Sequence, residues 1–394
     1  MLYPGAMHTR FEHTLGVVHT ASRMFDEVVA REERSLSDLG YNPEGLNRDR
    51  IFLRLACLLH DLGHAPFSHA SEELMQEGGK RVKHERYSGD LVRYFLAEVI
   101  DQHPANGNYG FRASEIADFI ENRLDLGNLE EARRRRFWRL LLDGHVDADR
   151  SDYLLRDSHH IGVEYGHYDL DRLIISLRVA TNDAGDPVLC VDKGGVHAAV
   201  GVVIARYMMF SQVYFHHVRR AYDYHFTEAM KEILSTAQAK DTTITNKTSW
   251  PPLGSKDQLQ KYVDWTDWRV LGSLQNGEGG AHGEILRARN HYRRAFETIE
   301  VPDQPAEADF AAVKALLDRM VTLEDTAEKA WYDLAGEEIL IREEDGKTLK
   351  PLSVHVPAIK GLLASKKKRL YVAARDKLKA KELVDEFRRK EGKR

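Results

Sequence analysis

We predict a mainly α fold from three features of the sequence. Apolar residues recur every three or four positions through most of the first two-thirds of the chain, as at Phe11, Leu15 and Val18. Short β-prone runs occur only beside turn-forming residues. Hydrophobic residues make up 42% of the 394 positions, which is enough to build a substantial core. These features predict a helical bundle with peripheral β-hairpins and a small α+β region at the C-terminal end.

The helical spacing predicts the following elements in chain order: 12–33, 49–61, 85–100, 113–124, 129–142, 146–157 and one very long helix over 195–236. Two hairpins are predicted where β-prone runs flank turn residues, at 176–179 with 188–192 and at 338–342 with 348–354. A strand at 369–372 and a final basic helix complete the prediction. We expect three parts: a main domain over 1–235, a helical extension with surface loops over 236–300, and a C-terminal α+β region with a basic tail helix over 301–394.

Charge is unevenly distributed along the chain. Residues 366–394 hold thirteen Lys and Arg against five Asp and Glu, so this tail carries +8 while the net charge of the chain is −5. We interpret the tail as a solvated amphipathic helix that packs on its own domain, and weak nucleic-acid contact is the alternative. The sequence shows no signal peptide, and Cys57 and Cys190 are its only cysteines, so we expect a cytoplasmic protein without a membrane segment.

The pair His60 and Asp61 follows five apolar residues, at 55–59. An imidazole and a carboxylate at the end of a buried helix would be costly to bury without a ligand, and both side chains suit a divalent metal ion. A surface His-Asp pair at a helix end is the alternative for the dipeptide alone. Further segments favour the metal site: RFEH at 10–13, LLHDLGHAPFSH at 58–69, HE at 84–85 and DADRSDYLLRD at 147–157.

With these segments the chain resembles the HD-domain superfamily, in particular its deoxynucleotide triphosphohydrolase branch of bacterial dGTPases and SAM-and-HD-domain dNTP hydrolases. The resemblance extends from about Tyr3 to about His225 and implies an HD-domain helical bundle. It also implies four metal ligands: His13, His60, Asp61 and Asp149. Two imidazoles and two carboxylates leave room for water and a phosphate oxygen, and they accept manganese, iron, zinc or magnesium.

The resemblance implies further roles around this centre. The positions that match His64 and His84 perform acid-base and phosphate-binding work, and Glu72, where the family commonly has Asp, orients its partner histidine. We expect His69 to be the most nearly structural member of this group. Substrate contacts are expected for a second set, to which His69 also belongs: Arg10, Arg150 and Tyr153 at the phosphates, Tyr222 near the sugar, and Asp157 behind the ligands or near the sugar. Tyr214 stands where relatives have a phosphate-binding Arg.

We therefore expect a metal-dependent nucleotide phosphohydrolase that converts a (d)NTP to nucleoside and intact triphosphate, and that assembles as a homo-oligomer. One alternative is an HD-type phosphodiesterase or nucleotidase acting on other phosphate esters, which the tyrosine at position 214 favours. The other is a catalytically silent nucleotide sensor. In the resembled family a few dozen residues precede the first motif and help to close the nucleotide pocket. We accordingly expect this chain to be a fragment or to begin at a misassigned start.

Overall fold

The computed structural model describes residues 2–124, 128–329, 338–361 and 365–392. Helices dominate these residues, which confirms the mainly α prediction. The α-helices are α1 (Arg10–Arg31), α2 (Glu33–Asp38), α3 (Pro43–Leu59), α4 (His84–Leu91), α5 (Ala97–Asp101), α6 (Ala113–Ile120), α7 (Leu129–Arg139), α8 (Ala148–Ile161), α9 (Leu170–Ile175), α10 (Val196–Met209), α11 (His217–Ala237), α12 (Lys256–Val263), α13 (Asp267–Gln275), α14 (Gly280–Arg287), α15 (Gln304–Leu317), α16 (Leu352–His355) and α17 (Lys377–Lys390).

The strands form three small sheets at the periphery of the bundle. They are β1 (Gln76–Glu77), β2 (Lys80–Arg81), β3 (Leu177–Thr181), β4 (Pro187–Asp192), β5 (Arg293–Glu297), β6 (Val321–Lys329), β7 (Leu340–Arg342), β8 (Leu349–Pro351) and β9 (Ser365–Val372). The sheet orders are β1-β2, β3-β4-β7-β8 and β5-β9-β6, and every neighbouring pair is antiparallel except β4 and β7. Both predicted hairpins are therefore present, and they share one sheet.

Helix α1 lies at the centre of the main core and contacts α3 and α8. Its apolar face places Val17, Ala21 and Met24 at zero exposure. The helix starts with a capping box, in which the Thr9 side chain accepts from the Glu12 backbone N–H and the Glu12 side chain accepts from the Thr9 backbone N–H. Because three site-bearing helices share this core, their ends are held rigidly relative to one another.

The prediction of one continuous helix over 195–236 is wrong. Helix α10 ends at Met209, a π-helical turn follows over Phe210–Tyr214, and α11 starts at His217. The Nδ1 atom of His216 caps α11 by accepting from the backbone N–H of Val218 at 3.3 Å. Apolar spacing continues across the interruption, and no glycine or proline marks it, so periodicity alone could not reveal it.

The segment Lys193–Tyr214 is long and apolar enough to cross a membrane by length and composition. In the structure it contains α10, which packs into the main core with Ala199, Val202 and Met209 buried. Its apolar character is accounted for by this packing.

The C-terminal part divides between two cores. The sheet β5-β9-β6 packs against α15 and α17 around Phe310, Val313 and Leu370, whereas Ile341 of β7 lies in the main core. The expected boundary between residues 300 and 301 falls between two strands of one sheet, β5 and β6. The division of the chain into three parts stays a proposal.

Candidate functional site

Four side chains from three helices converge at one point. Helix α1 supplies His13, the end of α3 supplies His60 and Asp61, and the first turn of α8 supplies Asp149. The Nε2 atom of His13 lies 3.0 Å from Oδ1 of Asp149 and 3.7 Å from Oδ2 of Asp61. The Nε2 atom of His60 lies 3.2 Å from Oδ1 of Asp61 and 3.8 Å from Oδ1 of Asp149. The structure thus brings together the four residues proposed as metal ligands.

The chemistry of these four side chains fits a divalent cation. The Nε2 atom of His60 is buried and has no hydrogen-bond partner, as expected of a nitrogen that needs a ligand. Burial alone would lower the pKa of His13, but hydrogen bonds to Asp149 and Asp152 raise it to about 10. The carboxylate charge that favours a proton on this ring would equally favour a divalent cation in its place. His13, His60 and Asp149 are able to hold a metal ion together, and Asp61 is also able to hold one with His64 and His84.

The Nδ1 atoms of His13 and His60, on the ring edges opposite the Nε2 atoms, each have a hydrogen-bond partner. The Nδ1 atom of His13 lies 2.7 Å from Oδ2 of Asp152, which is one turn beyond Asp149 on α8. The Nδ1 atom of His60 donates to the backbone oxygen of Cys57 at 2.7 Å. These contacts fix the rings so that both Nε2 atoms face the centre of the cluster, which is the arrangement typical of metal-binding histidines.

A second cluster lies on the other side of Asp61. His64 and His84 stack with ring centroids 3.6 Å apart, and their Nε2 atoms lie 3.5 and 3.6 Å from Oδ1 of Asp61. The Nδ1 atom of His84 lies 2.8 Å from Oε1 of Glu72. His69 is the most exposed member, with 61% of its side chain exposed and its Nδ1 atom 3.5 Å from Oε2 of Glu72.

The two stacked rings have opposite electrostatic surroundings. Burial lowers the pKa of His64 to about 3. Burial would also lower the pKa of His84, but the carboxylates of Asp61 and Glu72 raise it to about 9. These surroundings favour a neutral His64 ring and a protonated His84 ring, so the two rings are suited to different parts in acid-base chemistry.

The four proposed ligands, at positions 13, 60, 61 and 149, form what we call the metal-binding cluster. Arg10 lies beside it, at the start of α1. Its Nη1 atom contacts Oδ2 of Asp61, and its Nε atom donates to Oγ of Ser68 at 2.9 Å. About a third of the side chain, 37%, stays exposed, so the guanidinium is accessible to an anionic ligand.

Arg150 and Tyr153 follow Asp149 on the same helix. The Nη1 atom of Arg150 donates to Oδ2 of Asp147 at 2.6 Å, so this guanidinium already has a buried carboxylate partner. Burial raises the pKa of Tyr153. Its ring lies 6.2 Å from that of Tyr214 in an edge-on arrangement.

Asp157 joins two side chains from distant parts of the chain. Its Oδ1 atom lies 2.9 Å from Nε2 of His8, and its Oδ2 atom accepts from the Tyr214 hydroxyl at 2.6 Å. The π-helical turn before α11 places Tyr214 here. Tyr222, by contrast, packs its ring against His291 with centroids 4.6 Å apart, and its proximity to a sugar stays a prediction.

Three residues of the site are not predicted from the sequence: Asp152, Ser68 and His8. Asp152 could have been found, because it lies three positions after Asp149 and so shares its helical face. Ser68 and His8 meet their partners through contacts 58 and 149 residues apart in sequence, which no local pattern reveals.

Two family models match the chain. One, described as an HD domain, matches residues 10–155, and one described as an HD associated region matches residues 168–249. Together these matches cover more than half of the 394 residues. The four clustered side chains at positions 13, 60, 61 and 149 all fall within the first match.

Curated relatives and solved structures extend these matches. The uncharacterized protein YwfO of Bacillus subtilis is 31% identical over 222 residues, which cover 56% of this chain and 44% of that protein. Human deoxynucleoside triphosphate triphosphohydrolase SAMHD1 is 27% identical over 357 residues, which cover 82% of this chain and 55% of that protein. The chain thus spans about half the length of these curated relatives.

Two crystal structures show the same fold. A hypothetical protein from Aquifex aeolicus gives a TM-score of 0.71 at 24% identity, covering 97% of this chain and 88% of its own. A phosphohydrolase from Bacteroides thetaiotaomicron gives a TM-score of 0.67 at 24% identity, covering 94% of this chain and 89% of its own.

Proposed function

This chain belongs to the HD-domain superfamily and is a metal-dependent phosphohydrolase, and we propose that its substrates are nucleoside triphosphates. It hydrolyses them, and deoxynucleoside triphosphates in particular, to nucleoside and intact triphosphate. One observation carries this proposal. Nitrogen and oxygen atoms of four side chains, His13, His60, Asp61 and Asp149, lie 3.0 to 3.7 Å apart beside an accessible arginine.

The metal and the charged side chains have separable tasks. A divalent ion held by the four ligands supplies positive charge at the phosphate and lowers the pKa of a water molecule. We propose that Arg10 holds a phosphate oxygen next to that centre, and its contact with Asp61 and its partial exposure support this role. Arg150 would have to exchange Asp147 for a distal phosphate, or share its donors between the two.

His84 is the residue we propose as proton donor. Glu72 holds its Nδ1 atom, so the Nε2 atom is the one that faces the Asp61 side of the site. Water attacks the α-phosphorus, the bond from phosphorus to the 5′ oxygen breaks, the proton from Nε2 goes to that leaving oxygen, and the proton that the attacking water loses is released to solvent. The products are a nucleoside and a triphosphate that has gained the oxygen of water.

The preference for triphosphates rests on two supports. SAMHD1, to which the chain is 27% identical, is named for this reaction, and two arginines flank the proposed ligands in sequence. The hydrogen bond from Tyr214 to Asp157 favours a second candidate, a phosphodiesterase or nucleotidase acting on other esters. A tyrosine whose hydroxyl is bound to a carboxylate offers a phosphate no charge, whereas an arginine would.

The test is hydrolysis by the Mn²⁺-loaded protein of a panel containing the four dNTPs, the four NTPs, the matching monophosphates and cyclic nucleotides, with products identified by mass. We expect triphosphates to be hydrolysed at least ten-fold faster than monophosphates. Hydrolysis of monophosphates or cyclic esters with triphosphates untouched would establish the second candidate. Nucleotide binding without turnover of any compound would establish a sensor.

Three further properties belong to this proposal. We propose a cytoplasmic location, with which the two buried free cysteines agree, and a homo-oligomeric assembly, which sedimentation would measure. The third property is a weak contact of the basic tail with nucleic acid. On β9, Lys366 and Lys368 are paired with Glu328 and Glu307 at 3.3 and 2.5 Å, so part of the tail's charge is already neutralised.

A further inference from the structure

The turn that follows the second histidine cluster has an unfavourable backbone. Phe67 and Ser68 have φ angles of 59° and 54°, so two consecutive residues with side chains occupy the left-handed region. A residue with a side chain rarely adopts this conformation, because its Cβ atom lies too close to the neighbouring carbonyl oxygen. Contacts from elsewhere in the fold must therefore hold this turn.

Those contacts come from two helices that lie beyond both family matches, the second of which ends at residue 249. The Oδ1 atom of Asp267, at the start of α13, accepts from the backbone N–H of Phe67 at 2.9 Å. The hydroxyl of Tyr262 on α12 donates to the backbone oxygen of Gly63 at 2.8 Å. The Asp267 carboxylate thus contacts the first of the two strained residues directly.

The strained turn connects to the metal-binding cluster through Ser68. Its Oγ atom accepts from Nε of Arg10 at 2.9 Å, and Nη1 of the same guanidinium contacts Asp61. We propose that Asp267 is a positioning residue for the phosphate-binding arginine, acting through Phe67 and Ser68. This inference deepens the proposed function and rests on it.

The chain of contacts explains why the left-handed conformation is retained. If Phe67 relaxed to a right-handed or extended conformation, the Ser68 hydroxyl would move away from Arg10. The guanidinium would then keep its contact with Asp61 but lose the contact that fixes its other edge. Substrate binding should weaken, while the four metal-binding side chains, on α1, α3 and α8, keep their places.

The first test needs no substrate. Hydrogen exchange of the Phe67 amide is measured in the Mn²⁺-loaded parent, in Asp267→Ala, in Asp267→Asn, which retains an acceptor oxygen, and in Asp257→Ala. Asp257 is the matched control, since it also lies in the first turn of its helix and its loss removes the same charge. We expect about ten-fold faster exchange in Asp267→Ala alone. Equal exchange in Asp267→Ala and the parent would overturn the inference.

The second test separates binding from turnover. For a nucleotide that the parent hydrolyses, Asp267→Ala and Ser68→Ala should each raise KM about ten-fold with kcat within about two-fold, while Asp267→Asn and Asp257→Ala match the parent. The double variant should equal Ser68→Ala, because both changes break one chain of contacts. Additive losses, or a KM unchanged in Asp267→Ala, would overturn the inference. Absence of turnover in the parent would count against the proposed function alone, and the exchange measurement would still decide the role of Asp267 in the turn.

Discussion

The Nδ1 atom of His13 lies 2.7 Å from Oδ2 of Asp152, on the edge of the ring opposite the metal-facing Nε2 atom. Asp152 and Asp149 lie one turn apart on α8, so one helix places both a proposed ligand and the carboxylate that orients another ligand. Arg156 holds Asp152 in turn, donating from Nε to Oδ2 at 2.8 Å. We therefore expect the geometry of the proposed metal site to depend on residues that would not touch the ion.

We expect Asp152→Ala to lower metal affinity by about 10- to 100-fold, because His13 loses the partner that fixes its tautomer and ring orientation. Metal titration of the parent and the variant measures the effect. Asp171→Ala, which removes an exposed carboxylate with 81% of its side chain accessible, serves as the control. Unchanged affinity in Asp152→Ala would show that the carboxylate does not support the ligand.

Asp61→Ala should abolish bound metal and activity together. Asp61 lies between the two clusters: its Oδ1 atom is 3.2 Å from Nε2 of His60 and 3.5 Å from Nε2 of His64. Its removal leaves one carboxylate for a divalent ion, which is too little negative charge to hold it. Metal content by mass spectrometry and hydrolysis of a triphosphate check both parts. A metal-free Asp61→Ala protein with the activity of the parent would refute the assignment.

His84→Ala should lose most of its turnover and keep its metal. Its Nε2 atom lies 3.6 Å from Oδ1 of Asp61, and His84 is not one of the four proposed ligands, so we expect those four to hold the ion without it. Loss of a general acid lowers kcat by about 100- to 10,000-fold. The same two measurements apply, and loss of metal from His84→Ala would place this histidine among the ligands instead.

Gly63→Ala should disturb the placement of His84 without touching a titratable group. A Cβ atom at position 63 would overlap the backbone oxygen of His84 and the backbone nitrogen of Ser88. These atoms belong to α4, which cannot yield as a flexible side chain would, so we expect about 1 to 3 kcal/mol of destabilisation and reduced turnover. Thermal unfolding and kinetics measure it. Gly107→Ala, where a Cβ atom meets nothing, is the control. A stable, fully active Gly63→Ala protein would contradict this packing.

The sequence predicted the helical class and the elements that carry the site, because helical periodicity and the HD-type segments are local signals. It also predicted His13, His60, Asp61 and Asp149, and the structure places both carboxylates within 3.8 Å of the Nε2 atoms of both histidines. Their roles stay predictions until the variants above are measured.

Other features could not be read from local patterns. The interruption between α10 and α11 lies inside an unbroken apolar repeat, and its consequence, the hydrogen bond from Tyr214 to Asp157, joins residues 57 positions apart. The contact of Asp267 with Phe67 spans 200 positions. Such contacts arise from tertiary packing, which periodicity and motif spacing do not encode.

In the reaction we propose, water attacks the α-phosphorus of a nucleoside triphosphate at the metal-binding cluster. The most direct measurement is hydrolysis of a dNTP by the Mn²⁺-loaded protein in ¹⁸O-labelled water, with the label located by mass spectrometry. We predict unlabelled nucleoside and triphosphate that carries one ¹⁸O, with both products absent in Asp61→Ala. Labelled nucleoside monophosphate with pyrophosphate, labelled inorganic phosphate with a nucleoside diphosphate, or no turnover of any triphosphate would contradict the claim.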